Sequence, residues 1–255
     1  MKLEYADLLS GDSILISGVG HIRSPKLKEL KPTSGVGFFQ YSLYLNLFAW
    51  DKEQFLKYAK LTMLRGLKAF EGQDQLECFD VITLIPATRE LLRTAISFFM
   101  DEAIAWKDSI RGYEVLADDG TCVGKINRDN FKEFSSAILQ LNYIKLDKDK
   151  APEGVAASKR AQELWDKAQQ HLEKQSKQNK QENSAYSIGN IISKLCATHT
   201  TYNLLNVYEL TVFQLYDQFF QMSYLRTMDI NDRIFTIHGG DSYKQDEWVQ
   251  PINKN

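Results

Sequence analysis

DKDKAPEGVAASKRAQELWDKAQQHLEKQSKQNKQENS, residues 147–184, is the stretch that organises this chain. Acids and bases are nearly balanced in it and large apolar residues are few, so it cannot supply the core of a folded lobe. It therefore predicts a divider between a mixed, mostly helical N-terminal lobe (1–146) and a smaller helical C-terminal lobe with a short β tail (185–255). The divider has two parts. Pro152 sits where a helix can start, and Ala157, Ala161, Leu164, Trp165, Ala168 and Leu172 then recur at three- and four-residue steps. That spacing predicts an amphipathic helix to about Lys174, within a charged segment spanning 147–174. The small alanines of its seam suit close approach to another helix. The polar run 175–184 has no such stripe and predicts a flexible tether.

Working outward from the divider, the fold class is mainly α with short β elements. Ser13 to Ser17 is an apolar run closed by Gly18 and Gly20, which predicts a strand and a tight turn. Ser24-Pro25 predicts a capped helical turn over Lys26–Leu30. From Gly37 to Trp50, Phe38, Phe39, Tyr41, Leu43, Tyr44, Leu47 and Phe48 nearly surround a helix, so that helix is expected to be buried on most sides. Asp51 with Gln54 predicts a capping box for the next one. Pro86 opens an amphipathic helix carrying Leu92, Ala95, Ile96, Phe99, Ala103 and Trp106 on one face. The turn signal Asp119-Gly120, between Tyr113–Leu116 and Cys122–Ile126, predicts a β-hairpin. Asn127 or Asp129 is expected to cap a helix whose inner face carries Phe131, Phe134, Ile138 and Leu141.

In the C-terminal lobe, Ile188, Ile191, Ile192, Leu195 and Cys196 form a helical stripe. Asn206 is expected to cap a long helix running to about Met228, with Thr211, Gln214, Gln218 and Gln221 as its solvated seam. A strand is expected at Arg233–Ile237, followed by a Gly239-Gly240 turn and Trp248.

Composition narrows function by exclusion. Lys and Arg number 31 against 33 Asp and Glu, so no net positive field would draw the chain to nucleic acid or to an anionic membrane. Cys78, Cys122 and Cys196 are odd in number and none belongs to a CxxC pair, which predicts free thiols in a reducing cytoplasm. The first residues are acidic where a signal peptide is basic, and no apolar run approaches the ~20 residues that span a bilayer.

Motifs for chemistry are incomplete. Gly18-Val-Gly20 lacks the third glycine of a dinucleotide loop. His238-Gly-Gly-Asp241 is like an oxyanion loop, but no GxSxG elbow accompanies it. Cys196 and His199 supply two of the four ligands a structural zinc needs, and Cys196 lies on the apolar stripe. The acid pairs Asp101-Glu102, Asp118-Asp119 and Asp147/Asp149 read as a polar helix face, a turn and the charged stretch. The expectation is therefore of no catalytic residues, no metal and no cofactor.

What stands out is apolar surface. The helix beginning near Val207 carries more aromatic circumference than a two-helix lobe can cover. Tyr208, Leu215, Tyr216, Phe219 and Phe220 are the residues expected to bind an apolar helix of a protein partner, because aromatics give large contact area per immobilised torsion. The competing explanation is that they form the core of the lobe.

Gly18-Val-Gly20-His-Ile22-Arg23-Ser-Pro25-Lys-Leu27-Lys-Glu29-Leu30 resembles the start of proteins encoded in tail modules of phages and prophages of Gram-positive bacteria. Asn190-Ile-Ile-Ser193, the run Asn206 to Asp217 and Trp248 resemble their C-terminal pattern. The resemblance implies a tail assembly chaperone or related tail-morphogenesis factor. Such a protein is mostly helical, needs no cofactor, and holds the hydrophobic tape-measure protein in the host cytoplasm before the tail tube forms. A structural virion protein (adaptor or baseplate subunit), a host-directed inhibitor and an unrecognised enzyme are the alternatives. Self-association is left open.

Overall fold

The computed structural model describes residues 2–33, 35–61, 75–144 and 187–239. The predicted helix at 152–174, the tether, Asp147/Asp149 and Trp248 lie outside the described residues. The chain divides into two compact units, Met1–Asn142 and Tyr143–Asn255. The fold is mainly α with short β elements.

The first unit opens with α1 (Tyr5–Ser10) and a hairpin of β1 (Ile14–Ile16) and β2 (Gly20–Ile22), in register Ile14 to Ile22. The expected strand is thus half of a hairpin. Its return strand escaped the sequence because three residues are too few to show alternation. A single 3-10 turn follows at Leu27–Leu30, and its cap is Lys26 rather than Ser24, with Lys26 N donating to Glu29 Oε2 (2.7 Å).

The core of this unit is aromatic. Helix α2 (Phe38–Ala49) buries Tyr41, Tyr44, Leu45, Leu47 and Phe48, as its near-continuous apolar sequence requires. Helix α3 (Lys52–Leu61) begins with the expected box, Gln54 N donating to Asp51 Oδ1 (2.8 Å) and Asp51 N to Gln54 Oε1 (3.2 Å). Helices α4 (Cys78–Leu84) and α5 (Pro86–Phe99) are separated by Ile85, where Pro86 cannot continue the ladder. Leu92, Ala95, Ile96 and Phe99 on α5 are fully buried. Phe48 of α2 packs edge-on against Phe99 (5.7 Å between centroids) and against Phe134 of α6 (5.8 Å), which spans Phe131–Leu141. Each such ring contributes roughly 1.5–3 kcal/mol when withdrawn from water. Tyr41 OH donates to Asn142 Oδ1 (2.8 Å) and Asn142 Nδ2 to the Ile138 carbonyl (2.7 Å), so the buried polar groups at the end of α6 are satisfied.

Two expectations fail here. The amphipathic stripe of α5 does not extend to Ala103 and Trp106. The helix ends at Phe99, and Ala103–Lys107 is a strand, β3, pairing with β4 (Gly112–Leu116) and through it with β5 (Cys122–Ile126). Three-residue spacing between Ala103 and Trp106 fits a helix, but Ile104 and Trp106 alternate with exposed neighbours, and the sheet decides in favour of that alternation. The cap of α6 is Asn130 rather than Asn127 or Asp129, although Asn127 still accepts from Phe131 N through its carbonyl (2.9 Å). The expected hairpin, β4 and β5, is present with its turn at Asp119-Gly120, where Gly120 has φ +80°.

In the second unit, α7 (Ile188–Thr198) buries Ile188, Ile191, Ile192 and Leu195. Asn206 precedes only a 3-10 turn, Val207–Glu209. The long helix, α8, starts at Val212 and continues to His238, so the strand expected at Arg233–Ile237 is helical instead. Isoleucines there suggest a strand by propensity, but propensity is weak beside helix continuity, and none of the described strands pairs with this segment. Thr211, expected in the solvated seam, is a buried N-cap residue.

Candidate protein-binding surface

Helix α8 is positioned from its first residue. Thr211 accepts from Gln214 N (3.2 Å) and its own N–H donates to Gln214 Oε1 (3.0 Å), a reciprocal capping box that fixes where the helix begins. From there the first half is sequestered. Val212, Phe213, Leu215, Tyr216, Phe219, Phe220, Tyr224 and Met228 are all buried. Tyr143 lies nearly parallel to Tyr216 (5.9 Å) and to Phe220 (5.5 Å), and tilted against Phe213 (5.1 Å). Met222 Sδ accepts from Thr198 Oγ1 (2.7 Å) at the end of α7.

The residues expected to bind a partner therefore sit as follows. Leu215, Tyr216, Phe219 and Phe220 are buried inside the second unit, and Tyr208 is half-buried in the 3-10 turn before α8. The geometry brings the rings of Tyr216, Phe219 and Phe220 together, Phe220 lying 6.5 Å from Tyr216 and 5.7 Å from Phe219, and all four side chains are withdrawn from water. Burial pushes the Tyr216 phenol up from its ordinary value, and its hydroxyl has no hydrogen-bond partner among the described residues.

The second half of α8 is different. Leu225, Ile230, Ile234, Phe235 and Ile237 are exposed, Ile237 at 73%. Ile230, Ile234 and Ile237 stand at i, i+4 and i+7, so they share one face. Counted back at the same spacing, that face carries Phe219, Tyr216 and Val212, which are buried. A single face thus begins as core and ends as open apolar surface, interrupted midway by Ser223, whose hydroxyl donates to the Phe219 carbonyl (2.8 Å). Sequence reasoning missed this surface because it ended the helix near Met228. The i, i+4, i+7 isoleucines were the signal that could have found it.

Elsewhere, the expected chemical groups have structural partners. His199 caps the end of α7, and its Nδ1 accepts from Thr201 N (3.1 Å). Asp101 and Glu102 follow α5 rather than lying on it: Asp101 pairs with Arg23 (3.6 Å) and Glu102 with His21 (2.6 Å). No group of three or more His, Cys, Asp or Glu among the described residues is arranged to hold a metal. Nor is any described helix long and apolar enough to cross a membrane.

The exposed half of α8 lies within a recognisable region. Residues 177–253 match the family model described as the YomV second domain. The match takes in α7 and all of α8 and leaves the first unit untouched. No curated protein and no solved structure matches the chain.

Proposed function

We propose that this chain is a non-enzymatic phage protein, a tail assembly chaperone or tail-morphogenesis factor, that binds apolar helical segments of a partner such as the tape-measure protein. The observation that carries the reading is the open apolar face of α8, with Ile230, Ile234 and Ile237 between 45% and 73% exposed. A stripe of this kind is what a helix-in-groove or helix-on-helix contact reads. The YomV second-domain match over the same helix supports a phage-type origin, and the resemblance of the Gly18–Leu30 segment to tail-module proteins points the same way.

The exposed stripe replaces the buried aromatic cluster as the place where a partner would dock. Asp introduced at Tyr216 or Phe219 would bury a charge and unfold the second unit, whereas Ile230→Asp with Ile234→Asp leaves the packed half of α8 intact. Co-expression should keep the tape-measure protein soluble and bring it through purification with this chain, and the double variant should lose it while retaining its helical content. A tape-measure protein that stays insoluble beside the wild-type chain would sink the proposal. Purified virions should lack the chain; finding it there in fixed copy number would favour a structural subunit instead.

A further inference from the structure

The flanks of the exposed stripe are not alike. Arg226 and Arg233, seven residues apart, run along one edge of Ile230, Ile234 and Ile237, while Thr227 and Asn231 on the other edge carry no charge. Arg233 is engaged with Asp229 (2.9 Å), an exposed i, i+4 pair that exchanges partners at little cost. Arg226 is exposed and has no acidic partner among the described residues. The acids of this half-helix, Asp229 and Asp232, lie beyond the arginines, away from the stripe.

Resting on the protein-binding reading above, we propose that the stripe selects an acidic amphipathic helix: one with an apolar seam at 3.5-residue spacing and Glu or Asp along the edge facing Arg226 and Arg233. The apolar seam supplies contact area. The arginine edge supplies orientation and discrimination, because a like-charged edge brought against two guanidinium groups is repelled. The same pattern argues against a second copy of the chain. In a parallel pairing on this stripe the arginine edge would face the uncharged Thr227 and Asn231 edge of the other copy, and in an antiparallel one the two Arg233 side chains would approach each other. Neither arrangement pairs opposite charges.

The test uses the full chain and two labelled synthetic helices with identical leucine seams, one flanked by Glu and one by Lys, followed by fluorescence anisotropy. The Glu-flanked helix should bind at least tenfold more tightly, and added salt should narrow the difference. Arg226→Glu should erase or invert the preference without altering far-ultraviolet circular dichroism. Ile230→Ser with Ile234→Ser should remove binding of both helices. Equal affinity for the two, or a preference for the Lys-flanked one, overturns the proposal. So does a chain that light scattering shows to be a dimer split by the Ile230/Ile234 variant, or an Ile234→Cys probe that cross-links within its own chain. If the peptides show no preference while the tape-measure protein still co-purifies, only this inference falls. If the peptides show it and co-purification fails, only the broader reading does.

Discussion

At the scale of single residues, the glycine-rich opening motif turns out to be a clasp. Gly20 holds φ at +129°, and a Cβ there would meet Met100 Cε at 3.0 Å and Val115 Cγ1 at 3.1 Å. His21 N lies 2.9 Å from each Glu102 oxygen, and His21 Nδ1 lies 2.6 Å from Oε1. A carboxylate only accepts, so Nδ1 carries the proton. Arg23 N donates to the Phe99 carbonyl (2.9 Å), and its guanidinium reaches Glu29 (2.9 Å). The order of these residues was visible in the sequence, but their common partner at 99–102 lies far along the chain and only folding reveals it. The Tyr216 hydroxyl is the opposite case, a polar group taken into an apolar cluster without a partner. An unsatisfied buried hydroxyl costs ~1–3 kcal/mol. Tyr216→Phe keeps the ring and removes the hydroxyl, so it should raise stability by about 1 kcal/mol. A thermal melt showing a lower Tm would mean that the hydroxyl has a partner after all.

At the scale of elements, α8 depends on its first turn. The Thr211/Gln214 box satisfies amide groups that the helix itself leaves open, and Thr211 is only 2% exposed, so water cannot replace it readily. Thr211→Ala should cost about 1 kcal/mol, and Thr211→Ser should restore most of it. Urea denaturation of the three proteins checks this, and an alanine variant as stable as wild type would show that the cap contributes nothing. The capping box of α3 was legible in the sequence because Asp51 and Gln54 follow the pattern directly. The box of α8 was not singled out, because Asn206 offers an equally good local start five residues earlier. Tertiary burial of Val207 and Leu210 diverts that segment into a 3-10 turn.

Across the whole molecule, weak acids held wholly or partly out of water set an alkaline limit. Burial, reinforced by the nearby Asp51 carboxylate, pushes the Cys78 thiol from 9.0 up to about 12, and burial also raises the Tyr113 and Tyr216 phenols. In the unfolded chain the thiol ionises near its ordinary value, so above it the unfolded state holds fewer protons than the native one. Stability is then fully present below pH ~9 and falls as pH rises toward the native pKa. The urea midpoint should drop between pH 8 and 11, and Cys78→Ala should flatten that slope, measured relative to each protein's own value near pH 7. An unchanged slope would place the alkaline sensitivity in the tyrosines alone.

The sequence by itself determined the fold class, the positions of α2, α3, α6 and α7, the start of α5 at Pro86, and the hairpin of β4 and β5. Those follow from periodicity, prolines, caps and turn residues, all of them local signals. Only the tertiary structure decided that Ala103–Lys107 is a strand, that α8 continues to His238, and which apolar residues of α8 are covered. One helical face carries Val212, Tyr216 and Phe219 and then Ile230, Ile234 and Ile237, and its sequence is apolar throughout both groups. Whether such a face is core or contact surface depends on what packs against it, and that neighbour is fixed by the fold rather than by local pattern.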